Sequence, residues 1–134
     1  MNMTLIEIIQ DTDLPTTQKQ KLLELVKERS INSIVESVHN NAKAHGWWEQ
    51  KREFGSLLML IVSELSEAFE EFRNNKAAIY YVDGKPEGIA IELIDVVLRI
   101  MDIFGAEGWD FQNALEIKHQ FNITRPYKHG GKKL

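Results

Sequence analysis

Two pairs of carboxylates stand at helical spacing inside the most apolar stretches of this chain. They are Glu64-x-x-Glu67 and, after 24 intervening residues, Glu92-x-x-Asp95. Residues three apart on a helix share a face, so each pair presents both carboxylates on one side. A buried carboxylate is costly unless it is paired or binds a metal, and four that converge would repel one another. We therefore expect the two helices to face each other and to offer a hard divalent cation, Mg²⁺ or Mn²⁺, four oxygen ligands.

Other side chains are of types that contact an organic phosphate. Lys118 and Asn122 share one side of the last predicted helix, toward the expected bundle interior. The lysine would hold a phosphate as a point charge, and the asparagine would bond a phosphate, a sugar or a base. The plainer alternative is a lysine whose stem packs on the core while its amine reaches water. Of Trp47 and Trp48, we expect one to fill core and the other to stack on a base, with Trp48 as the candidate.

Composition narrows the class of protein. The chain has 134 residues and no cysteine, which excludes disulfides and thiolate zinc sites and favours a reducing, cytoplasmic setting. No apolar run approaches the length of a membrane span, and the N-terminus lacks the features of a secretion signal. Residues 117–134 carry a charge of +5 and the remainder −9. An acidic body with a basic tail argues against nucleic-acid binding and suits a site where a metal and a small polyanion meet.

Helical periodicity dominates the whole chain. Pro86 is expected in the first turn of the fifth helix, Gly105 at its end, and a turn at Asp83-Gly84 before it. The fifth helix is apolar around most of its circumference, so it must be central or lie in a subunit interface. Four principal helices imply an all-α antiparallel bundle over residues 31–134, with residues 1–30 as an N-terminal helical extension. We expect helices over 4–10, 16–29, 31–45, 48–73 and 88–104, and a last helix that Asp110 caps and that ends near residue 122.

The acidic spacing, together with two later segments, resembles the all-α nucleoside triphosphate pyrophosphohydrolases of the MazG-like superfamily. The segments are Gly84-Lys-Pro-Glu-Gly-Ile-Ala-Ile-Glu-Leu-Ile-Asp95 and Lys118-x-x-x-Asn122-x-x-Arg125-Pro-Tyr-Lys-His-Gly-Gly-Lys132. They are similar to those of short, single-domain members, and the likeness covers roughly residues 34–132. Many members open the first acidic pair with a doubled acid, whereas this chain has Ser63 before Glu64.

The resemblance implies a four-helix module that is dimeric or a dimer of dimers, with Mg²⁺ held by the two acidic pairs. It implies hydrolysis of a nucleoside triphosphate to a monophosphate and pyrophosphate. Lys118, Asn122 and Arg125 would contact the substrate, and Lys118 and Arg125 would offset charge on the transferring group. Glu67 is our candidate for the carboxylate that orients or deprotonates the attacking water, although the sequence leaves the choice among the four open.

Three alternatives stand beside this interpretation. The first is a dUTPase-like hydrolase of the same superfamily, and the second is a non-catalytic helical interaction module. The third is a di-iron carboxylate bundle, because Glu36-x-x-His39 and Glu116-x-x-His119 have the required spacing. On a helical wheel Glu36 and Glu116 point away from the apolar stripes, which disfavours the di-iron alternative.

Overall fold

The computed structural model describes residues 5–28 and 30–128. Within those ranges the regular secondary structure is helical apart from one short hairpin, so the predicted all-α class is confirmed. None of the helices there combines the length and apolar character needed to cross a membrane. The helices are α1 (Leu5–Asp11), α2 (Thr16–Glu28), α3 (Ile31–Ala44), α4 (Phe54–Arg73), α5 (Ile89–Glu107) and α6 (Phe111–Ile123), and the strands are β1 (Tyr80–Val82) and β2 (Lys85–Glu87).

The chain divides into two compact units. The terminal unit comprises Met1–Ile34 and Asp110–Leu134, and the central unit comprises Val35–Trp109. The terminal unit thus holds α1, α2 and α6, while the central unit holds most of α3 together with α4, the hairpin and α5. The boundary at residue 30 that the sequence suggests between an extension and a main domain stays a prediction.

In the central unit α4 packs along α5. The buried apolar side chains of this unit are those of Val35, Leu57, Ala68 and Ile103. The predicted start of α4 near residue 48 is wrong, because residues 45–50 form turns and the helix begins only at Phe54. Its C-terminal end at Arg73 is as predicted.

Glycines set both ends of α5. Gly88 precedes the helix with φ 117°, and a side chain there would meet a backbone carbonyl oxygen at 2.5 Å. Pro86 lies in β2 instead of the first helical turn, so that prediction is wrong. The helix ends at Glu107, and Gly108 after it adopts the left-handed conformation that favours glycine. The predicted stop at Gly105 is wrong, since that residue lies inside α5.

The hairpin before α5 is built on the turn that the sequence predicts. β1 pairs with β2 in antiparallel register, with Tyr80 opposite Glu87. Asp83 and Gly84 between the strands both have positive φ, which matches the twist of a two-residue hairpin loop. The Tyr80 hydroxyl donates a 2.8 Å hydrogen bond to the Glu71 carboxylate, so the hairpin is tied to α4.

In the terminal unit, Asp110 caps α6 as predicted. Its Oδ1 accepts from the backbone N–H of Asn113 at 3.0 Å and from Nδ2 of Asn32 at 2.9 Å, and these hydrogen bonds lower the pKa of its carboxyl group. Asn32 Oδ1 in turn accepts from the backbone N–H of Gln112 at 3.1 Å. The predicted helix start at residue 4, the end of α2 at residue 29 and most of the basic tail, residues 129–134, lie outside the described residues.

Candidate metal centre

Three of the four predicted ligands meet between α4 and α5. Glu64, Glu67 and Glu92 each offer a carboxylate oxygen, and the three oxygens lie within 4.8 Å of one another. Glu64 is 7% exposed and Glu92 is 6% exposed, while Glu67 is open to solvent. The cluster therefore has two carboxylates held in the interior and one at its solvent side.

Helical spacing explains how acids came to be buried. The buried residues of α4 are Leu57, Glu64 and Ala68, which follow one another at intervals of seven and four and so share one face. The buried residues of α5 are Glu92 and Ile103, again on one face. Because these faces pack together, each helix carries an acid where an apolar side chain would ordinarily stand.

Two of the four predicted ligands, Glu92 and Asp95, have a raised pKa. Burial raises the pKa of Glu92, and the charges of Glu67, Asp95 and Glu64 raise it further. Burial also raises the pKa of Asp95, and the charge of Glu64 adds to that shift while Arg99 opposes it. Asp95 lies outside the group of three oxygens, but the charge of Glu64 still raises its pKa. All four predicted ligands are therefore electrostatically coupled.

The donor set suits a hard cation. It consists only of carboxylate oxygens, which Mg²⁺ and Mn²⁺ prefer to nitrogen or sulfur. Mg²⁺ binds oxygen at about 2.0–2.1 Å, so oxygens in one octahedral shell lie about 3–4 Å apart. The three oxygens within 4.8 Å would need only small side-chain rotations to reach that spacing. Asp95 could join them as a fourth ligand or bind through water.

Arg99 forms an ion pair with Glu64, one of the two buried acids of the cluster. Its Nε lies 2.5 Å from Oε1 of Glu64, across the α4–α5 contact. On a helical wheel α5 has one polar stripe, made of Glu92, Asp95, Arg99 and Asp102. From sequence alone, the plain interpretation of this stripe is a narrow solvated face in which Arg99 pairs with Asp95 and Asp102 on its own helix. The structure instead directs the guanidinium to α4. Its charge therefore contributes directly to the acidic cluster.

A second polar group lies one turn farther along α5. Asp102 accepts from Nδ1 of His39 at 2.7 Å and from the indole N–H of Trp48 at 2.9 Å. The rings of His39 and Trp48 also meet edge to face, with centroids 5.3 Å apart. Sequence reasoning missed this group, although Asp102 belongs to the same polar stripe as Glu92 and Arg99. The group fastens α3 and the following turn to α5.

An open cleft of about 490 Å³ lies beside this second group. Trp47 contributes an indole that is 57% exposed, and the Arg52 guanidinium lies 5.5 Å from the centroid of that ring. Arg99 and Asp102 line the cleft as well, so it reaches the residue that pairs with Glu64. The lining residues are Ser37, Val38, Asn41, Ala42, His45, Trp47, Arg52, Leu98, Arg99 and Asp102.

The other predicted substrate contacts lie in the terminal unit. Lys118 is exposed on α6, and its Nζ lies 5.2 Å from the centroid of the Phe121 ring. Arg125 follows the helix and also approaches that ring, with Cζ 5.9 Å from the centroid. Asn122 is exposed beside them. The structure thus brings Lys118 and Arg125 together around one aromatic side chain.

The di-iron alternative gains no support from the residues that suggested it. Glu36 is exposed on α3, while His39 is bound to Asp102. Glu116 accepts a hydrogen bond from Gln112 on its own helix and is exposed, as is His119. Among the described residues, neither Glu-x-x-His pair belongs to a cluster of potential metal ligands.

The polar stripe of α5 therefore carries two candidate ligands, Glu92 and Asp95, the counter-ion Arg99 and the structural anchor Asp102. Compared with models of protein families, with curated proteins and with solved structures, the chain shows no match.

Proposed function

We propose that this protein is a Mg²⁺-dependent nucleoside triphosphate pyrophosphohydrolase, which converts a (d)NTP to a (d)NMP and pyrophosphate. The observation that carries the proposal is the meeting of Glu64, Glu67 and Glu92 within 4.8 Å in the interface of two helices. Asp95 completes the proposed ligand set. The likeness to the MazG-like signature supplies the class of reaction, and Mn²⁺ would substitute for Mg²⁺.

The four carboxylates have different environments, which suggests different roles. A cation bound among them would polarise phosphate oxygens and lower the pKa of a bound water. Glu64 and Glu92 are buried and suited to ligation alone. Glu67 is exposed, and no described residue forms a side-chain hydrogen bond or an ion pair with it. We therefore assign Glu67 the additional task of orienting or deprotonating the attacking water.

The cleft beside Arg99 has the size of a ligand site. Pockets for small molecules span about 300–1,000 Å³ and combine apolar walls with a few polar groups. In this proposal the cleft takes the nucleoside part of the substrate, and the exposed ring of Trp47 stacks on the base. Trp48, our candidate from the sequence, is bound to Asp102 through its N–H and acts there as a brace.

Lys118, Asn122 and Arg125 keep their proposed role as contacts to the phosphates. The two cations share the Phe121 ring, so their positive charges reinforce each other at one place on the terminal unit. A triphosphate carries several negative charges, and paired cations bind it more strongly than separate ones. The basic tail beyond residue 128 belongs to the same proposal.

Self-association also belongs to the proposal. Apolar side chains stand exposed on both principal helices of the central unit, and patches of this kind mark protein interfaces. We propose a homodimer or a homotetramer whose subunits each form a four-helix bundle. The exposed residues are Leu58, Met59, Val62, Leu65, Phe69 and Phe72 on α4, and Leu93, Ile94 and Leu98 on α5.

The test is a panel of ribo- and deoxyribonucleoside triphosphates with Mg²⁺, with the products separated. We expect monophosphate and pyrophosphate in equal amounts. Glu67→Gln should lower turnover at least a hundredfold, because it removes both a ligand and the proposed base. Glu70→Gln is the matched control, since Glu70 lies on the same helix with its side chain 61% exposed and outside the cluster.

Two results would contradict the proposal. A diphosphate with free orthophosphate as the products would show cleavage of the wrong bond. No turnover with any triphosphate would favour the non-catalytic alternative. Selective cleavage of dUTP and dUDP, the latter to monophosphate and orthophosphate, would instead assign the dUTPase-like activity.

A further inference from the structure

Arg99 lies on the face of α5 that carries the candidate metal ligands, but its side chain is a cation. It follows Glu92 by seven residues and Asp95 by four, so all three share one face of α5. Its guanidinium reaches Glu64 on α4. The Arg99 side chain is 32% exposed and the Glu64 side chain only 9%, so the pair is largely shielded from bulk water.

Within residues 5–28 and 30–128 the cluster has few other sources of positive charge. Lys85 also opposes the raised pKa of Asp95. Its amine, however, is bound at 2.6 Å to Glu87 and its side chain is 74% exposed, so solvent screens it. An arginine remains charged at every physiological pH. Arg99 is therefore the permanent, shielded counter-charge of the carboxylates among the described residues.

A carboxylate has two oxygens, and each can serve a different cation. Arg99 binds Oε1 of Glu64. Oε2 of Glu64 then remains for a second partner. A divalent cation bound among the carboxylates would lie within a few ångströms of the guanidinium, and like charges at such distances repel appreciably even in a partly hydrated site.

We propose that Arg99 sets the cation affinity of this centre: its guanidinium shares Glu64 with the divalent cation, holds one carboxylate oxygen, and weakens binding of the ion by repulsion. This inference rests on the proposed metal centre and adds to it a positioning residue outside the ligand set. The consequence is a centre that exchanges its ion. Four carboxylates without a counter-charge would retain Mg²⁺, whereas a nucleotide substrate arrives with Mg²⁺ of its own and its product leaves with it.

The test measures Mn²⁺ binding to the full chain by electron paramagnetic resonance, without nucleotide. Arg99→Gln removes the charge and keeps a hydrogen-bond donor, and Arg99→Lys keeps the charge. We expect Arg99→Gln to lower the Kd for Mn²⁺ about tenfold, because one repulsive charge near the ion is lost. Arg99→Lys should stay within about twofold of the unmodified protein, since a lysine amine carries the same charge.

Arg73→Gln is the control. Arg73 forms an ion pair with Glu70 on the surface of α4, and both side chains are more than 60% exposed. Its removal changes net charge by the same amount but should leave the Kd for Mn²⁺ unchanged, because exposed charges are screened. A tenfold change in this control as well would show that net charge alone sets the affinity and would overturn the inference.

The outcomes separate the inference from the proposed function. If the unmodified protein binds Mn²⁺ and Arg99→Gln binds it equally or more weakly, Arg99 is only a link between helices and the inference fails while the metal centre stands. If the unmodified protein binds no Mn²⁺, both fail.

A second measurement is made on the unmodified protein and uses a variant only to assign one resonance. The Nε–H of Arg99 can be followed by ¹⁵N nuclear magnetic resonance in the unmodified protein, assigned by its loss in Arg99→Lys. We expect its resonance to shift as Mg²⁺ is added, because the guanidinium and the ion share Glu64. An unchanged resonance at saturating Mg²⁺ would overturn the inference.

Discussion

The side chain of His39 on α3 lies directly against Gly105 of α5. A Cβ on residue 105 would stand 2.8 Å from Cγ of His39 and closer still to its Cβ. This approach lets Nδ1 of His39 donate to Asp102 at 2.7 Å. A glycine inside a helix is ordinarily unfavourable by about 0.5–1 kcal/mol relative to alanine. Here its lack of a side chain is what allows α3 and α5 to meet.

Gly105→Ala should therefore destabilise the protein. The added methyl group would force α3 away from α5, and overpacking of this kind costs about 1–3 kcal/mol. Gly55→Ala is the control, because nothing lies within 4 Å of a Cβ at that position on α4. It should be neutral or stabilise by up to about 1 kcal/mol. Urea unfolding of both variants measures the difference, and equal effects would contradict the close contact.

Because Trp48 donates a hydrogen bond to Asp102, substitution of Trp48 should destabilise the protein more than substitution of Trp47. Trp48→Phe keeps an aromatic ring but removes the N–H, so Asp102 loses one of its two partners. A hydrogen bond to a charged group contributes about 1.5–3 kcal/mol. Trp48→Phe should therefore lower the free energy of unfolding by about that amount. Trp47→Phe should lower it by less than about 0.5 kcal/mol, because that ring is exposed.

Activity should show the reverse order for these tryptophans. In the proposed cleft the exposed Trp47 stacks on the base, and stacking on an aromatic side chain contributes about 1–3 kcal/mol per base. Trp47→Ala should then raise KM for the triphosphate about tenfold or more. An unchanged KM would remove Trp47 from the proposed nucleoside site.

The raised pKa values of Glu92 and Asp95 predict how stability depends on pH when a chelator removes divalent ions. Between the ordinary carboxyl pKa, about 4, and the raised value, the folded state binds more protons than the unfolded state. The free energy of unfolding contributed by these groups therefore falls as pH rises through that window. Glu92→Gln removes one of the two groups. In chelator it should melt a few degrees above the unmodified protein at pH 8 and close to it at pH 4.5.

Mg²⁺ should reverse that difference. The ion binds the deprotonated carboxylates and stabilises the folded state by mass action, so the unmodified protein should gain stability as Mg²⁺ is added at pH 8. Glu92→Gln should gain much less, and Glu70→Gln should respond like the unmodified protein. If Glu92→Gln and the unmodified protein respond alike, Glu92 is not a ligand.

The cations of the terminal unit predict a graded loss of activity. Lys118→Ala should lower kcat/KM by about tenfold to a hundredfold, with kcat affected as well as KM, because charge near the reacting phosphates acts on the transition state. Lys43→Ala, an exposed lysine in the last turn of α3, should change neither. Deletion of residues 126–134 should raise KM alone. If Lys118→Ala has the same kcat/KM as Lys43→Ala, Lys118 is an ordinary surface lysine and the proposed contact is wrong.

Periodicity located the helices because apolar residues recur along them at helical spacing, and several have clear end signals, such as Asp110 before α6. The strands of the hairpin were missed because each has three residues, too few for an alternating pattern to be recognised. The late start of α4 also escaped prediction. Trp48 is held in the preceding turn by its bond to Asp102, a contact that depends on tertiary structure.

The acidic pairs of the site could be predicted because their spacing places each pair on one face of its own helix. The meeting of Glu64, Glu67 and Glu92 follows once those faces pack together. The partner of Arg99 could not be predicted in this way. Whether it reaches Asp95 on its own helix or Glu64 on the next depends on the register between α4 and α5, which a wheel for one helix does not contain.

The central claim is that the acids of α4 and α5 hold one divalent cation or a compact group of them. Anomalous diffraction from crystals grown with Mn²⁺ tests it most directly. We predict an anomalous peak at about 2.1–2.3 Å from carboxylate oxygens of Glu64, Glu67 and Glu92, with Asp95 bound directly or through a water. Crystals that hold Mn²⁺ elsewhere, or no Mn²⁺ at millimolar concentration, while these carboxylates remain clustered would contradict the account.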